Sequence, residues 1–146
     1  AQRSGRWGRG FESHLPDHGL PAVASPMIIK DASEAAEFRS GDDARLRELL
    51  NPLKESLALR YSLAHAEVAP GRRTKRHRLR TSEVYYILEG EGRMHIDAES
   101  APVRAGQAVY IPPDAVQWIE NTGGGPLRFL CIVDPAWRPE DENVPA

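Results

Sequence analysis

The side chains of this 146-residue chain best suited to chemistry are a histidine and a glutamate in the run His77-Arg78-Leu79-Arg80-Thr81-Ser82-Glu83. An extended strand sends successive side chains to opposite faces, so His77, Leu79, Glu83 and Tyr85 share one face unless a bulge between Leu79 and Glu83 shifts the phase. An imidazole titrates near neutral pH, and a carboxylate that orients it makes a base able to remove a proton beside a carbonyl. Sugar isomerases and epimerases need that step. His77 with Glu83 is one such pair, and His95 with Asp97 is a second. For His95 the more ordinary reading is an exposed residue close to a turn, because nothing in the sequence sets the phase of its strand.

The same parity sorts the neighbouring charges. Arg76, Arg78 and Arg80 alternate with His77, so in a strand they leave its face and meet solvent or a partner subunit. Arg72, Arg73 and Lys75 precede the strand and could steer an anion such as a sugar phosphate, although a solvated loop is the commoner role for such residues. His14 and His18 have a spacing that suits a metal only on a helix, and Pro16 with Gly19 argues against that helix. Arg3, Arg6 and Arg9 are three charges without a folded reader, so nucleic acid is not an expected partner.

Two longer patterns frame these residues. Gly71, His77, Glu83 and Gly90 stand at the spacing G-x5-H-x-H-x3,4-E-x6-G, with Leu79 at the second histidine. Gly106, Pro112 and Asn121 fit G-x5-P-x-G-x2-H-x3-N, with Asp114 at the glycine and Gln117 at the histidine. The pair resembles the signature of the cupins, in particular small single-domain cupins likened to phosphomannose isomerases, over residues 57 to 134. The resemblance implies an all-β fold: a cupin jelly-roll β-barrel with an N-terminal extension, around a polar pocket.

It also implies where the site lies. His77, Glu83 and Gln117, completed by water, would hold a divalent metal: Zn, Mn, Fe or Ni. The alternative is a buried His77–Glu83 hydrogen bond in a barrel that has lost its ion. Cupins ordinarily offer three histidines and a glutamate, whereas Leu79 donates nothing and the Gln117 amide oxygen is a weak, neutral donor. A dioxygenase built on two histidines and a carboxylate is therefore demoted, and no organic cofactor is indicated. The expected function is binding of a small polar or sugar-like molecule, with Tyr85, His95 and Gln117 as ligand-binding groups. Were the protein a sugar-phosphate isomerase or epimerase, His77 and Glu83 would be its acid and base. A third class is a non-catalytic interaction protein using the basic strand face, and a homodimer is implied as in other small cupins.

Tyr61, Tyr85, Tyr110 and Trp118 are the aromatics available as pocket walls, and Trp118 must face out if Gln117 faces in. Asp114 tolerates the positive φ of a turn glycine, and Asn121 is expected to fix a turn through side-chain hydrogen bonds.

The elements that must position these groups are short strands. Residues 1 to 42 read as an arm and extension, 43 to 137 as the barrel and 138 to 146 as an acidic, solvated tail. Asp43 to Leu50 has helical propensity, but Asn51-Pro52 stops it early, and the family pattern favours a strand. Leu57, Leu59, Tyr61 and Leu63 alternate with Ala58, Arg60 and Ser62, as in a half-buried strand facing inward with its leucines. Glu83 to Leu88 and Arg93 to Asp97 flank a tight hairpin at Glu89-Gly90-Glu91-Gly92. Further strands are expected before Pro112, at Trp118 to Glu120, and from Leu127 to Asp134.

Composition agrees with this plan. The single cysteine, Cys131, excludes an intrachain disulfide and lies in an apolar run, as a buried, inert thiol would. Formal net charge is -2, without bias toward nucleic acid or anionic membranes. No apolar stretch approaches the ~20 residues of a membrane span, and no apolar leader segment opens the chain, so a soluble cytoplasmic protein is expected.

Overall fold

Along Leu127–Asp134 every second residue is buried, and the chain pairs antiparallel on both sides, the signs of a central strand with one face in the core. The computed structural model describes residues 27–39 and 44–144. Eleven strands follow in order: β1 (Glu37–Arg39), β2 (Arg45–Leu50), β3 (Ser62–Val68), β4 (Arg78–Leu79), β5 (Ser82–Glu89), β6 (Glu91–Ile96), β7 (Glu99–Arg104), β8 (Ala108–Ile111), β9 (Gln117–Asn121), β10 (Leu127–Asp134) and β11 (Glu142–Asn143). A 3₁₀ turn at Pro139–Asp141 precedes the last. Six strands form one sheet in the order β1-β2-β3-β10-β5-β8, three form a second as β7-β6-β9, and β11 pairs with β4. This is the expected all-β, jelly-roll architecture. The arm carrying Arg3, Arg6, Arg9, His14 and His18 lies outside the described residues. No helix among the described residues is long and apolar enough to cross a membrane.

The core joins the inner faces of the two larger sheets. Ile87, Ile111, Ile119, Leu127 and Phe129 are each at most 1% exposed, and burial of such a side chain contributes roughly 1.5–3 kcal/mol. Residues 45 to 50 are strand rather than helix. Asn51 closes that strand: its Oδ1 accepts from the Leu53 amide at 2.9 Å, and its Nδ2 donates to the Trp137 carbonyl at 3.0 Å.

Three expectations change. The strand foreseen from Leu57 begins only at Ser62, and it faces in with Ser62, Ala66 and Val68 rather than with its leucines. Its register explains the phase. Ala66 lies opposite Phe129 and Ala64 opposite Cys131, where small residues leave room inside, while Leu63 pairs with Ile132 on the outer face. Gly90 makes no hairpin. β5 pairs with β10 and β8, whereas β6 pairs with β7 and β9, so the chain changes sheets there. Gly90 has φ 91°, and a Cβ on it would stand 2.5 Å from the Pro126 carbonyl oxygen, so only glycine fits this crossing. The third change is the acidic tail. Asp141 is buried and accepts from Arg138 at 2.9 Å, and Glu142 returns to pair with Leu79.

Candidate functional site

From His77 to Ile87 each odd-numbered residue is buried, so no bulge disturbs the phase that places His77, Leu79, Glu83 and Tyr85 together. The even positions Arg76, Arg78 and Arg80 are exposed, as parity requires. The segment before β4 docks on β9 by its main chain. The Thr74 amide donates to the Ile119 carbonyl at 3.0 Å, and His77 and Gln117 exchange amide-to-carbonyl bonds at 3.1 and 2.9 Å. The Thr74 hydroxyl accepts from the Ile119 amide at 2.9 Å. His77 is thereby fixed on the inner face at 3% exposure.

Its ring is fixed too. Nδ1 lies 2.9 Å from the Lys75 carbonyl oxygen, which can only accept, so Nδ1 carries the hydrogen and Nε2 is the acceptor nitrogen of the neutral ring. His77, Glu83 and Tyr85 line one cavity of about 50 Å³ between the large sheet and the β4–β11 pair. Gln117, 1% exposed, sits behind it and accepts from the Tyr85 hydroxyl at 3.1 Å. Leu79 also lines the cavity, opposite Glu142 on β11, which lines it as well. Glu48 on β2 is a third carboxylate there, bridged to Lys54 at 2.6 Å and accepting from Asn51 at 3.0 Å. Phe38, Phe129 and Trp137 supply apolar walls.

His95 does not join this group. Met94 and Ile119 are buried partners, so His95 and its partner Trp118 face the other way. There the two rings stack at 3.5 Å and 3°, and His95 Nε2 lies 2.7 Å from Glu120 Oε1. Asp97 is not its partner: at φ 50° it turns the chain between β6 and β7, and its Oδ1 accepts from the Val116 amide at 2.9 Å. The Arg73 and Arg76 guanidinium carbons stand 5.1 and 5.4 Å from the Trp118 ring centroid, on the outside of the barrel. Arg72, Arg73 and Lys75 are exposed and none lines the cavity. Of the four aromatics foreseen as walls, only Tyr85 is one; Tyr61 and Tyr110 are exposed.

Two further residues of the second pattern, one substituted and one matching, behave as structural parts. Asp114 adopts φ 65° in place of a glycine. Asn121 donates to the carbonyls of Val68 and Gly125 at 2.9 and 2.8 Å and accepts from the Gly123 amide at 2.9 Å, tying the turn before β10 to β3.

A cupin domain model matches residues 64–133. An uncharacterized protein of Methanocaldococcus jannaschii, MJ1618, is 42% identical over 123 residues, spanning 84% of this chain and 98% of that protein. The chain belongs to the cupin family. The cupin fold is matched in solved form by a predicted oxalate decarboxylase from Thermotoga maritima, with TM-score 0.65 and 26% identity over 74% of this chain and 99% of that one. A glucose-6-phosphate isomerase of Thermococcus gammatolerans is 30% identical over 112 residues, which are 73% of this chain and 54% of that protein.

Set beside the cupin pattern, the donors here do not suit a transition metal. The Gln117 amide oxygen already accepts from Tyr85 behind the cavity, and Leu79 has no donor atom. Among the described residues no three His, Cys, Asp or Glu side chains converge as an ion requires. Glu48, Glu142, Phe38 and Trp137 were not legible as site residues, since each reaches the cavity through tertiary pairing rather than a local pattern.

Proposed function

We propose that the protein binds a small polar molecule in the barrel cavity, between His77 and Glu83. The observation that carries this reading is enclosure: an imidazole and a carboxylate, 3% and 6% exposed, on the wall of a cavity of about 50 Å³. One water needs roughly 10–15 Å³ by this measure, so the space suits a ligand of a few heavy atoms. A sugar phosphate is larger, and its phosphate would meet no arginine or lysine among the described lining residues. The names of the isomerase and decarboxylase relatives therefore support ligand binding as a class more than their own substrates.

A second reading, proton transfer on a bound carbonyl compound, draws support from the His77 ring. The Lys75 carbonyl holds the hydrogen on Nδ1, so Nε2 is the atom that would take a proton, with Glu83 as the companion acid or base. Thermal unfolding with a panel of small neutral, anionic and cationic molecules tests the first reading: a stabilising ligand should lose its effect in His77→Ala and Glu83→Gln. A ligand that stabilises both variants as fully as the native protein rules the cavity out. Turnover that survives both substitutions rules out the second reading. Metal content measured on the same samples settles the ion; stoichiometric metal in native protein, lost in His77→Ala, would overturn the donor argument.

We further propose a homodimer through the outer face of the six-stranded sheet. Tyr86 and Tyr110 are 41% and 63% exposed there, beside outward-facing Val84 and Leu130, and apolar surface of this kind marks association sites. Sedimentation velocity should show a dimer that Tyr86→Lys with Tyr110→Lys converts to monomer; a native monomer at tens of micromolar, about the range where weak dimers dissociate, ends the proposal.

A further inference from the structure

We infer that the outer face of residues 72 to 80 is a docking surface for a carboxylate-rich, extended segment of a partner protein; nothing in this depends on what the cavity holds. The stretch carries Arg72, Arg73, Lys75, Arg76, Arg78 and Arg80 and no acidic residue, and all six cations are exposed. The net charge conceals this asymmetry. The whole chain sums to -2, so with these six cations set aside the rest carries -8. Among the described residues none of the six forms an ion pair. The carboxylates beside them are engaged elsewhere: Glu120 meets His95, Asp141 meets Arg138, and Glu142 lines the cavity. Asp114 arrives from the turn before β9, where its amide donates to the Leu79 carbonyl at 2.7 Å, and it too pairs with none of the six.

Register explains why two of these cations converge. Arg73 bridges Glu120 and His77 bridges Gln117, so four steps of this segment run against three of β9, one residue too many. The extra residue lets Thr74 and His77, three apart, both face in at 2% and 3% exposure, and it turns Arg73 and Arg76 outward together. Their guanidinium carbons stand 5.1 and 5.4 Å from the centroid of one ring, Trp118. His95 stacks on that ring at 3.5 Å and is itself held by Glu120, so the platform is fixed. A guanidinium attracted through its flat face keeps its N–H donors free in the plane, in a fork that matches the two oxygens of a carboxylate. Beyond this point Arg76, Arg78 and Arg80 recur at every second position, the period at which an extended peptide lying alongside presents its own side chains.

Trp and Arg are the residues that most often anchor protein interfaces. Nucleic acid fits this surface less well. From Arg73 to Arg80 the strip is roughly 20–25 Å long for an extended chain, and a longer polyphosphate would run on over the -8 of the remaining residues. Bases also need an open aromatic face, whereas the Trp118 ring is already covered by His95 and the two arginines.

Fluorescence anisotropy with labelled oligoglutamate, a Gly-Ser peptide of equal length and an oligothymidylate of equal charge tests the inference on the full chain. Oligoglutamate should bind and the neutral peptide should not, and affinity should fall at least about tenfold when salt is raised from 0.05 to 0.5 M. Arg73→Gln with Arg76→Gln should weaken oligoglutamate about tenfold. Lys30→Gln with Arg45→Gln removes the same charge from cations already paired with Glu55 and Glu37, and should change affinity by less than about twofold. Thermal unfolding of each double variant reports whether it is folded. Oligothymidylate binding more tightly than oligoglutamate at equal salt overturns the inference in favour of nucleic acid. Equal losses in the two double variants, or no oligoglutamate binding at low salt, overturn the docking surface itself and leave the cavity reading untouched.

Discussion

One histidine and carboxylate couple lies outside the barrel, on β6 and β9, and a second lies inside it, on the segment before β4 and on β5. Outside, His95 and Glu120 meet at 2.7 Å and the imidazole stacks on Trp118 at 3.5 Å. Inside, His77 and Glu83 face a cavity shared with Tyr85 and Glu142. Judged by pair geometry, the outer couple is well formed for acid-base work. It is nevertheless the poorer candidate, because its side chains are 17% and 36% exposed, and water screens the charges and leaves no wall to hold a ligand against them. The inner couple has a ring fixed by the Lys75 carbonyl, an enclosed volume and aromatic walls. Enclosure, more than the presence of the right residue types, separates a site from a surface hydrogen-bonded pair.

The contrast should appear first in stability. On β9, Ile119 faces in at 0% exposure and Trp118 faces out, half-buried under Arg73 and Arg76. Ile119→Ala should cost about 2–5 kcal/mol in denaturant unfolding, since it empties core volume that rigid strands cannot refill. Trp118→Ala removes a larger side chain yet should cost less, because its stacking and cation contacts, each about 0.5–1.5 kcal/mol, lie where water can replace them. A larger loss at Trp118 than at Ile119 would mean that the outer face is covered by something further, and the comparison between the faces would fail.

The legible part of this contrast is the part governed by period two. His77, Leu79, Glu83 and Tyr85 could be placed on one face because their spacing is even and the charged residues between them have nowhere to go but out. Gln117 inside and Trp118 outside follow from the same rule. The leucines of 57 to 63 misled because inward positions of β3 are chosen by the volume of their partners, Phe129 and Cys131, and only small residues fit there. His95 had no phase until its register with Trp118 was known. Gly90 reads locally as a hairpin glycine; its crossing between sheets depends on Pro126, 36 positions on, which no local pattern records. Glu142 is the clearest case. An acidic stretch after the last predicted strand looks solvated, and it becomes part of the cavity only because β11 finds Leu79 on β4.

The smallest effect tests the comparison most directly. Glu120→Gln keeps the shape of the outer couple and removes its charge. The hydrogen-bonded couple is partly exposed, so unfolding free energy should change by less than about 1 kcal/mol, and whatever difference is measured should shrink with added salt, as it does for charges that water and ions reach. Affinity for any ligand of the cavity should be unchanged, because Glu120 is on the outer face of β9, while Glu83→Gln on the cavity lining should reduce it. Equal losses of ligand affinity in the two variants would show that the outer couple senses the cavity through Gln117 and Trp118, adjacent on one strand. In that case the barrel wall would transmit charge changes across its thickness, and the inner and outer couples would have to be treated as one coupled system.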